Sequence, residues 1–358
     1  MADFRSILKQ HRSRIVDVLD EALPRLCEEL SEANPWRFPI CSELLQYTKS
    51  GKMVRGALVV ATYELLSQDR NHFDAAVTAG AVMELIQSFL LIHDDVMDQD
   101  ETRRGLPAIH SRYRDLGRSE AIAEPDHFGM SMSICVGDVA YLLSMRLLAE
   151  LEVDPTILRT LLSVVSREVS LVGVAQMSDL YHGVTRNAVG PEHIQTLYVH
   201  KTGRYTFSLP MILGATIAQA DENTINVLAD VGEGLGYVFQ LKDDELGIFA
   251  DQAELGKPVG SDIGADKKTL LRHRLFAAVS GEDADRVARV FGTMPVAEED
   301  IHMVRSLIEE TGVRSEIHRE MKEVTSRALD RLQTLSFPNG NNTAVFDGLA
   351  RYNLERTE

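Results

Sequence analysis

A dense run of carboxylates that leads directly into two arginines is the part of this chain with the clearest chemistry. Asp94, Asp95 and Asp98 are followed at once by Arg103 and Arg104. The apolar residues before them recur at helical spacing, which predicts that the aspartates end a helix, where the macrodipole disfavours anions. On that helix Asp94 and Asp98 share a face and repel each other unless a cation lies between them. Oxygen ligands favour Mg²⁺, and a guanidinium binds phosphate in a bidentate way. A solvated acidic helix end is the alternative interpretation of the cluster alone.

A second acidic pair, Asp243 and Asp244, closes another apolar helical segment much later in the chain. Basic residues follow this pair too, with Lys257 in a glycine-bounded turn that could carry it to an anion. Further positive charge stands beside glycine at Lys52, Arg55 and Lys201, the last of these next to Thr202. Each fragment alone is more typical of ordinary loop or capping chemistry. Together they predict two helices that aim carboxylates into one cavity containing several phosphate ligands.

That inventory fits a reaction whose leaving group is diphosphate and whose substrate is otherwise apolar. Mg²⁺ ions would neutralise charge as the carbon–oxygen bond breaks. Apolar helices would hold a hydrocarbon chain and keep water from a carbocation. The sequence offers no serine or cysteine nucleophile with an evident partner base, and ionisation chemistry needs none.

Composition narrows the class of protein further. The 358 residues are 44% hydrophobic, with a formal charge of −17 from 37 Lys and Arg against 54 Asp and Glu. This charge argues against nucleic acid and anionic lipid as partners. Cys27, Cys41 and Cys135 lack metal-ligand spacing, and we predict that they are reduced. The N-terminus lacks a signal-peptide core, and we expect a soluble, cytoplasmic protein with no membrane span.

Helical periodicity extends over nearly the whole chain, and alternating strand patterns are almost absent. We therefore predict an all-α protein with one domain over residues 1–358, whose motif-bearing core covers about residues 49–270. Residues 106–127 read as a loop. The predicted helices cover residues 4–33, 53–68, 75–98, 129–151, 155–183, 191–219, 222–249, 267–280, 283–291, 297–310, 314–335 and 343–356.

With both acidic motifs in this order, the chain resembles the trans-isoprenyl diphosphate synthases, or polyprenyl synthetases, and among them the short-chain members. The likeness extends from Gly51 to about Thr269 and includes a DDxxD motif with a trailing RRG. Other matching positions are Pro107, His110, Gly137, Asp138, Gln176, Asp179, Lys201, Thr202 and Gln240 with Asp243 and Asp244.

The resemblance implies the isoprenoid synthase fold, an antiparallel helical bundle around a deep central cavity, usually in a homodimer. It implies a prenyltransferase that condenses isopentenyl diphosphate with dimethylallyl, geranyl or farnesyl diphosphate. In that reaction the allylic diphosphate ionises, the double bond of isopentenyl diphosphate attacks, and a proton is lost. The expected cofactor is Mg²⁺, with three ions when substrate is bound, and Mn²⁺ is an alternative.

The resemblance also implies roles for individual residues. Asp94, Asp98 and Asp243 would be the main Mg²⁺ ligands, with Asp95 and Asp244 in support. The allylic diphosphate would be held by Arg103, Lys201 and Lys257. Isopentenyl diphosphate would be held by Lys52, Arg55 and Arg104, and Gln87 stands where many members have a histidine that contacts it. Thr202 and Gln240 would stabilise the developing cation through their oxygen dipoles.

Two further positions depart from the family pattern. Gly247 ends the second motif where many members have a third aspartate, so metal binding there would depend on Asp243 and Asp244. Gly56 replaces a common proline after the first basic motif, a change that we expect to affect only the helix start. Neither departure removes a charge that the reaction needs.

Product length is predicted from Phe89, five residues before Asp94 and so about 7.5 Å deeper along the helix. In this family that position forms the floor of the product tunnel, and a phenyl ring there would stop chain growth. Leu90 is smaller than the aromatic found in many farnesyl-producing members. We predict geranylgeranyl diphosphate as product, with farnesyl diphosphate as the alternative. Ordinary core packing of Phe89 would carry no such meaning.

Three other functions compete with this one. A class I terpene cyclase also uses DDxxD, but residues 243–247 do not match its second metal motif. A non-catalytic subunit of a heteromeric prenyl synthase would usually have lost the aspartates. A di-iron bundle would need two Glu-x-x-His pairs on inward faces, and only Glu299 with His302 offers that spacing convincingly, in a segment without an acidic partner motif.

Overall fold

The all-α class is confirmed by the computed structural model, which is 79% helical. The structure describes residues 4–30, 37–185, 187–250, 260–338 and 343–356. They form two compact units: Met1–Ser163 with Leu213–Ala220, and Val164–Ile212 with Asp221–Glu358. The single domain expected over residues 1–358 stays a prediction.

The first unit begins with six helices and one β-hairpin. Its helices are α1 (Phe4–Glu28), α2 (Arg37–Lys49), α3 (Val54–Leu66), α4 (Phe73–Met97), α5 (Ile109–Ser119) and α6 (Pro125–Ala149). Between α4 and α5, β1 (Thr102–Arg103) pairs antiparallel with β2 (Leu106–Pro107). Two helices contribute residues to both units, α7 (Pro155–Val184) and α9 (Leu209–Ile217).

The second unit is built around one long central helix. Its elements, besides parts of α7 and α9, are α8 (Pro191–Leu197), a π-helix (Tyr198–Ser208), α10 (Glu222–Phe249), α11 (Ser261–Gly264), α12 (Leu270–Ala278), α13 (Gly281–Val290), α14 (Glu298–Glu310), α15 (Val313–Leu332) and α16 (Ala344–Glu355). Helix α10 is that central helix, and it packs against the π-helix, α15 and α16. Buried side chains of α10 such as Val231 and Leu235 have no solvent exposure, and each contributes roughly 1.5–3 kcal/mol through removal of apolar surface from water.

Helix α4 forms the core of the first unit and positions the first acidic cluster at its end. Its apolar residues are buried on almost every side, including Leu85 and Ile86 at 0% exposure. A pair of glycines lets α3 approach α4 closely, because a Cβ on Gly56 would lie 2.6 Å from the carbonyl oxygen of Gly80. The expectation that Gly56 affects only the helix start is therefore wrong, since this glycine sets the distance between two core helices.

Three predicted segments differ from the structure. Helix α5 lies inside the predicted loop over residues 106–127. A loop was predicted there because few residues of α5 are apolar and most are polar or charged. Helix α2 was not predicted. The predicted helix over residues 191–219 is divided by the π-helix, whose wider turns shift the side-chain register. Short π-helical segments are frequent at functional sites.

The expectation of reduced cysteines is wrong for one pair. Cys27 on α1 and Cys41 on α2 form a disulfide, with their Cα atoms 6.3 Å apart. The bridge could not be foreseen without α2, which brings Cys41 within reach of Cys27. Cys135 is a free, exposed cysteine.

Two helices of the described residues, α4 and α6, are long and apolar enough to span a membrane by length and composition alone, and the absence of a membrane span stays a prediction. Within the most apolar window of α4, 72% of the residues are buried, which is typical of the core helix of a soluble protein. Length and composition alone are weak evidence for a span.

Candidate active site

The first acidic cluster lies at the C-terminal end of α4, as predicted. Asp98 follows the last residue of the helix and is exposed, and the side chain of Asp94 is 25% exposed. Asp95 instead points into the unit and has no solvent exposure. Successive helical residues are rotated by about 100°, so Asp95 cannot share the face of Asp94 and Asp98.

Asp95 is held through both of its oxygens. The Tyr47 hydroxyl donates to Oδ2 at 3.1 Å, and Arg103 Nε donates to Oδ1 at 2.6 Å. Burial raises the pKa of Asp95, and the hydrogen bond and charge of Arg103 oppose the rise. The same guanidinium pairs with Asp100 at 3.0 Å and lies 3.8 Å from Asp94. Asp95 therefore orients an arginine beside the more exposed aspartates.

The hairpin that carries both arginines has a tight turn at Arg104 and Gly105, with φ of 54° and 75°. Two consecutive residues with positive φ are what a type I′ hairpin turn requires. Glu101, just before the hairpin, accepts from Arg114 of α5 at 2.6 and 2.7 Å, and this lowers the pKa of Glu101 to about 2. Arg104 donates to Ser50 Oγ at 3.3 Å. Helix α5 thus anchors the hairpin, and Arg104 links it to the turn before Lys52.

The first basic motif lies at the N-terminus of α3, where backbone N–H groups and the helix dipole favour anions. Lys52 is exposed and Arg55 is half-buried. The buried carboxylate of Glu84 on α4 accepts from the Gly56 backbone N–H at 2.7 Å, and burial raises the pKa of Glu84. Arg12 of α1 donates to the carbonyl oxygens of Lys49 and Gly51, at 2.7 and 3.3 Å. These contacts fix the backbone from which Lys52 and Arg55 extend.

The predicted chain-length residue Phe89 lies on the same helix as the first cluster and is half-buried, as is Leu90. Its ring contacts those of His93 and Tyr141, with centroids 4.9 and 5.1 Å away. Gln87, predicted to contact isopentenyl diphosphate, is 9% exposed on α4. These residues belong to the first unit together with Lys52, Arg55, Asp94, Asp95, Asp98, Arg103 and Arg104.

The second acidic cluster repeats the arrangement of one accessible and one buried aspartate. The side chain of Asp243 is 42% exposed and pairs with Arg356, whose guanidinium also lies 3.8 Å from the centroid of the Phe239 ring. Asp244 is 1% exposed. It accepts hydrogen bonds from the Tyr198 hydroxyl and, at 3.2 Å, from Gln240 Nε2. Burial raises the pKa of Asp244 to about 7.

The π-helix carries the predicted Lys201 and Thr202. Lys201 pairs with Asp179 of α7, and Thr202 donates to Gln240 Oε1 at 2.9 Å. Arg204 ties the π-helix to its neighbours, since it donates to buried Glu168 on α7 at 2.8 and 2.9 Å and to Glu233 on α10 at 3.0 Å. The wide turns of this segment therefore bring Thr202 to α10 and Lys201 to α7.

Two residues of the second cluster were missed in the sequence. Asp262 packs on Gly247, where an added Cβ would lie 2.2 Å from Asp262 Oδ2. Asp262, Asp244 and Asp243 raise the pKa of Lys267, whose Nζ is 3.8 Å from Asp262. Asp262 thus fills the space that an aspartate at position 247 would need. The glycine at that position was the signal that could have indicated it.

Lys201, Thr202, Gln240, Asp243 and Asp244 all belong to the second unit. Lys257 lies outside the described residues. Lys242, next to the acidic pair, donates to Glu245 at 2.8 Å and is 13% exposed, so it neutralises a buried carboxylate.

The carboxylates fit the way in which proteins usually hold Mg²⁺. Within the described ranges, no three His, Cys, Asp or Glu side chains are already arranged to hold a metal ion. Mg²⁺ seldom needs such a cage, because it keeps several waters and binds one or two carboxylates together with substrate phosphates. Asp94 and Asp98, one turn apart with oxygen donors only, fit this requirement.

Comparison with known proteins finds similarity to one family over most of the chain. A family model described as Polyprenyl synthetase matches residues 38–308. A geranylgeranyl diphosphate synthase of Sulfolobus acidocaldarius is 28% identical over 313 residues, covering 87% of this chain and 88% of that protein. A short chain isoprenyl diphosphate synthase of Methanothermobacter thermautotrophicus is 28% identical, covering 96% of this chain and 98% of that one.

The chain is also similar to a solved structure along almost its whole length. The crystal structure of geranylgeranyl pyrophosphate synthase from Corynebacterium glutamicum, complexed with isoprenyl diphosphate and magnesium, matches with a TM-score of 0.86 and 28% identity. The match covers 99% of this chain and all of that chain.

Proposed function

The chain belongs to the polyprenyl synthetase family and is a prenyltransferase, and from this premise we propose that it is a geranylgeranyl diphosphate synthase. It would condense isopentenyl diphosphate with dimethylallyl, geranyl and farnesyl diphosphates in a Mg²⁺-dependent reaction. The similar proteins named geranylgeranyl diphosphate synthase support this product.

One observation carries the proposal: the first motif presents two aspartates and an arginine at the same helix end. Asp94 and Asp98 are the more accessible carboxylates, while buried Asp95 orients Arg103. A diphosphate needs both a cation bridge and a bidentate donor, and this helix end offers ligands for both.

We propose that Asp94, Asp98 and Asp243 are the principal Mg²⁺ ligands, with Asp95 and Asp244 in support. When bound, Mg²⁺ would neutralise the charge that develops on the departing diphosphate. The expected stoichiometry is three ions with substrate, and Mn²⁺ is a candidate replacement. Arg103, Lys201 and Lys257 would bind the allylic diphosphate, and their positive charge would hold it while the carbon–oxygen bond breaks.

Isopentenyl diphosphate would bind near the N-terminus of α3. Lys52, Arg55 and Arg104 would contact its phosphates, and the Gln87 amide would donate a further hydrogen bond. Thr202 and Gln240 would turn oxygen dipoles toward the allylic cation. Attack by the isopentenyl double bond forms the new carbon–carbon bond, and loss of a proton restores a double bond.

We propose that Phe89 is the floor that stops the product at 20 carbons. Its contacts with His93 and Tyr141 would hold the ring in place when the end of the elongating product reaches it. Farnesyl diphosphate is the competing product, and it would require chain growth to stop at half-buried Leu90, one residue nearer Asp94. Leu90 is smaller than the aromatic residue of many farnesyl-producing members, which favours the 20-carbon product.

A homodimer in the cytoplasm is the proposed state of the protein. Helix α6 exposes Met130, Ile134 and Leu142, apolar side chains of the kind that subunit interfaces bury. Light scattering during size-exclusion chromatography would measure the mass, and a monomer at micromolar concentration would refute the dimer.

The test of the function is condensation by the purified chain alone. Labelled isopentenyl diphosphate is incubated with each of the three allylic diphosphates, with Mg²⁺ or with EDTA, and the chain length of the product is measured. We expect a 20-carbon product that requires Mg²⁺. Hydrocarbon released from geranylgeranyl diphosphate alone would indicate a cyclase, and activity only with an added partner would indicate a heteromeric subunit.

A further inference from the structure

Two buried tyrosines make the same contact in the two acidic clusters. Tyr47, 7% exposed, donates to Asp95, and Tyr198, 5% exposed, donates to Asp244. In both clusters the tyrosine holds the second aspartate of the motif, while the aspartate before it is more exposed. The two contacts lie in different units and involve unrelated stretches of sequence, so each is independent evidence for the same arrangement.

We propose that Tyr47 and Tyr198 are positioning residues that act through these aspartates on two different groups. Tyr47 would fix Asp95 and thereby Arg103, which binds substrate. Tyr198 would fix Asp244 and thereby Gln240 and Thr202, which face the cation. This inference rests on the proposed function for the roles of Arg103, Gln240 and Thr202.

In the first unit, Tyr47 donates a hydrogen bond to one oxygen of Asp95, a carboxylate with no solvent exposure. Asp95 Oδ2 accepts from Tyr47 and Oδ1 accepts from Arg103 Nε, at 3.1 and 2.6 Å. A buried acceptor that loses its donor is destabilising, so the carboxylate would rotate toward another donor. Rotation would release the guanidinium from its present orientation, because Asp95 is its most buried partner. The affinity for the allylic diphosphate should then fall.

In the second unit, the tyrosine lies in a directed chain of hydrogen bonds. The backbone N–H of Leu270 donates to the Tyr198 hydroxyl at 2.9 Å, and Tyr198 donates to Asp244 Oδ2. Asp244 Oδ1 is left to accept from Gln240 Nε2 at 3.2 Å, so that Gln240 Oε1 accepts from Thr202 at 2.9 Å. Since the Thr202 proton is directed at Gln240, the lone pairs of its hydroxyl remain for a cation. Loss of the phenol should therefore slow ionisation more than it weakens binding.

The test removes one oxygen atom at a time, in Tyr47→Phe and Tyr198→Phe. For Tyr47→Phe we expect KM for farnesyl diphosphate to rise about fivefold or more, with kcat changed by less than about twofold. For Tyr198→Phe we expect kcat to fall about tenfold or more, with KM for both diphosphates changed by less than about threefold. Isothermal titration with inorganic diphosphate and Mg²⁺, which requires no turnover, should show weaker binding in Tyr47→Phe and wild-type binding in Tyr198→Phe.

Each unit offers a control that also loses a hydrogen-bonded phenol oxygen, from buried Tyr63 in the first unit and from half-buried Tyr237 in the second. Tyr237→Phe removes a 2.7 Å hydrogen bond to Glu320, and Tyr63→Phe removes the acceptor of the His72 N–H at 3.0 Å. Neither tyrosine contacts an aspartate of the two clusters, so we expect wild-type kinetics from both variants. Thermal denaturation of all four variants measures how much stability each phenol contributes.

A double-variant cycle separates positioning from general destabilisation. Because Tyr47 would act through Arg103, Tyr47→Phe should change KM by less than about twofold in an Arg103→Ala background. Full additivity of the two changes, or equal effects of Tyr47→Phe and Tyr63→Phe, would overturn the inference. If Tyr198→Phe does not fold, the Tyr47→Phe arm still decides it for the first unit. A wild-type chain that binds diphosphate but does not elongate would refute the proposed function, whereas unchanged calorimetry in Tyr47→Phe would refute the positioning role.

Discussion

The rings of Phe89 and Tyr141 lie 5.1 Å apart with an angle of 42° between their planes, so a residue of α4 is supported by one of α6. Aromatic pairs at such distances add about 0.5–1.5 kcal/mol beyond the area they bury. Phe89 is therefore restrained as well as bulky, which is what a floor for an elongating hydrocarbon requires.

Removal of the Phe89 ring should lengthen the product. In Phe89→Ala we expect a substantial part of the product to exceed 20 carbons, because the space left by the ring accepts further isoprene units. Thin-layer or mass-spectrometric analysis of labelled products measures this. Phe276→Ala, which removes a comparable ring 5.3 Å from that of Phe291 in the second unit, should leave chain length unchanged. An unaltered length in Phe89→Ala would show that the ring is ordinary core packing.

Arg356 forms an ion pair with Asp243, the carboxylate that we propose as a metal ligand. It also donates to the Phe239 carbonyl at 2.9 Å and is 6% exposed. Because a guanidinium competes with a cation for the same oxygens, Arg356→Ala should lower the Mg²⁺ concentration for half-maximal activity several-fold. Mn²⁺ binding followed by electron paramagnetic resonance gives a readout without turnover. Arg331→Ala, which breaks an exposed pair with Asp230, is the control, and an equal Mg²⁺ requirement in both variants would contradict the competition.

Gly247 can accept a side chain only if the Asp262 carboxylate moves, because an added Cβ would lie 2.2 Å from Asp262 Oδ2. We expect Gly247→Ala to destabilise the protein by about 1–3 kcal/mol, the usual cost of overpacking. Gly173→Ala on α7 has no atom within 4 Å of the added Cβ and should be neutral or stabilising by about 0.5–1 kcal/mol. Urea denaturation compares the two variants. Equal midpoints would mean that Asp262 moves aside without cost.

Buried His11 should make stability depend on pH in mildly acidic solution. Burial, together with Arg14 and Arg70, lowers its pKa to about 4 in the folded state, and Glu64 lies 3.5 Å away. Between this value and the unfolded value of about 6.5, the unfolded chain binds the extra proton, so stability falls as pH falls through this window. The loss from this group between pH 7 and pH 5 is about 2 kcal/mol.

Denaturation of His11→Gln at both pH values checks this account. The variant should lose less stability than the wild type on acidification, while exposed His302→Gln should behave as the wild type does. Identical pH dependence in His11→Gln and the wild type would mean that other groups cause the acid loss.

Much of the fold could be predicted because its signals are local. The apolar period before Asp94 predicts α4, and its end at Met97 is close to the predicted end. The π-helix could not be predicted, since its turns depend on contacts such as Arg204 with Glu168, which are 36 residues apart. Helix α5 was missed because it is short and most of its residues are polar or charged, a composition that resembles a loop in the sequence.

The candidate site was predictable as residue types but not as contacts. Spacing alone separates Asp95 from the face of Asp94 and Asp98. The partner of Asp95, Tyr47, comes from α2, 48 residues earlier in a segment with no predicted structure. Likewise, the contact of Asp262 with Gly247 could not be predicted from the sequence, because it depends on the position of α11. Long-range partners of this kind leave no periodic signal in one sequence.

We propose that both acidic clusters serve the same condensation. The most direct measurement is the incorporation of labelled isopentenyl diphosphate into an allylic diphosphate by Asp94→Ala and Asp243→Ala, with circular dichroism to confirm the fold. We expect each folded variant to lose activity by about a hundredfold or more, since a metal ligand contributes several kcal/mol to the transition state. Wild-type incorporation by either folded variant would contradict the claim.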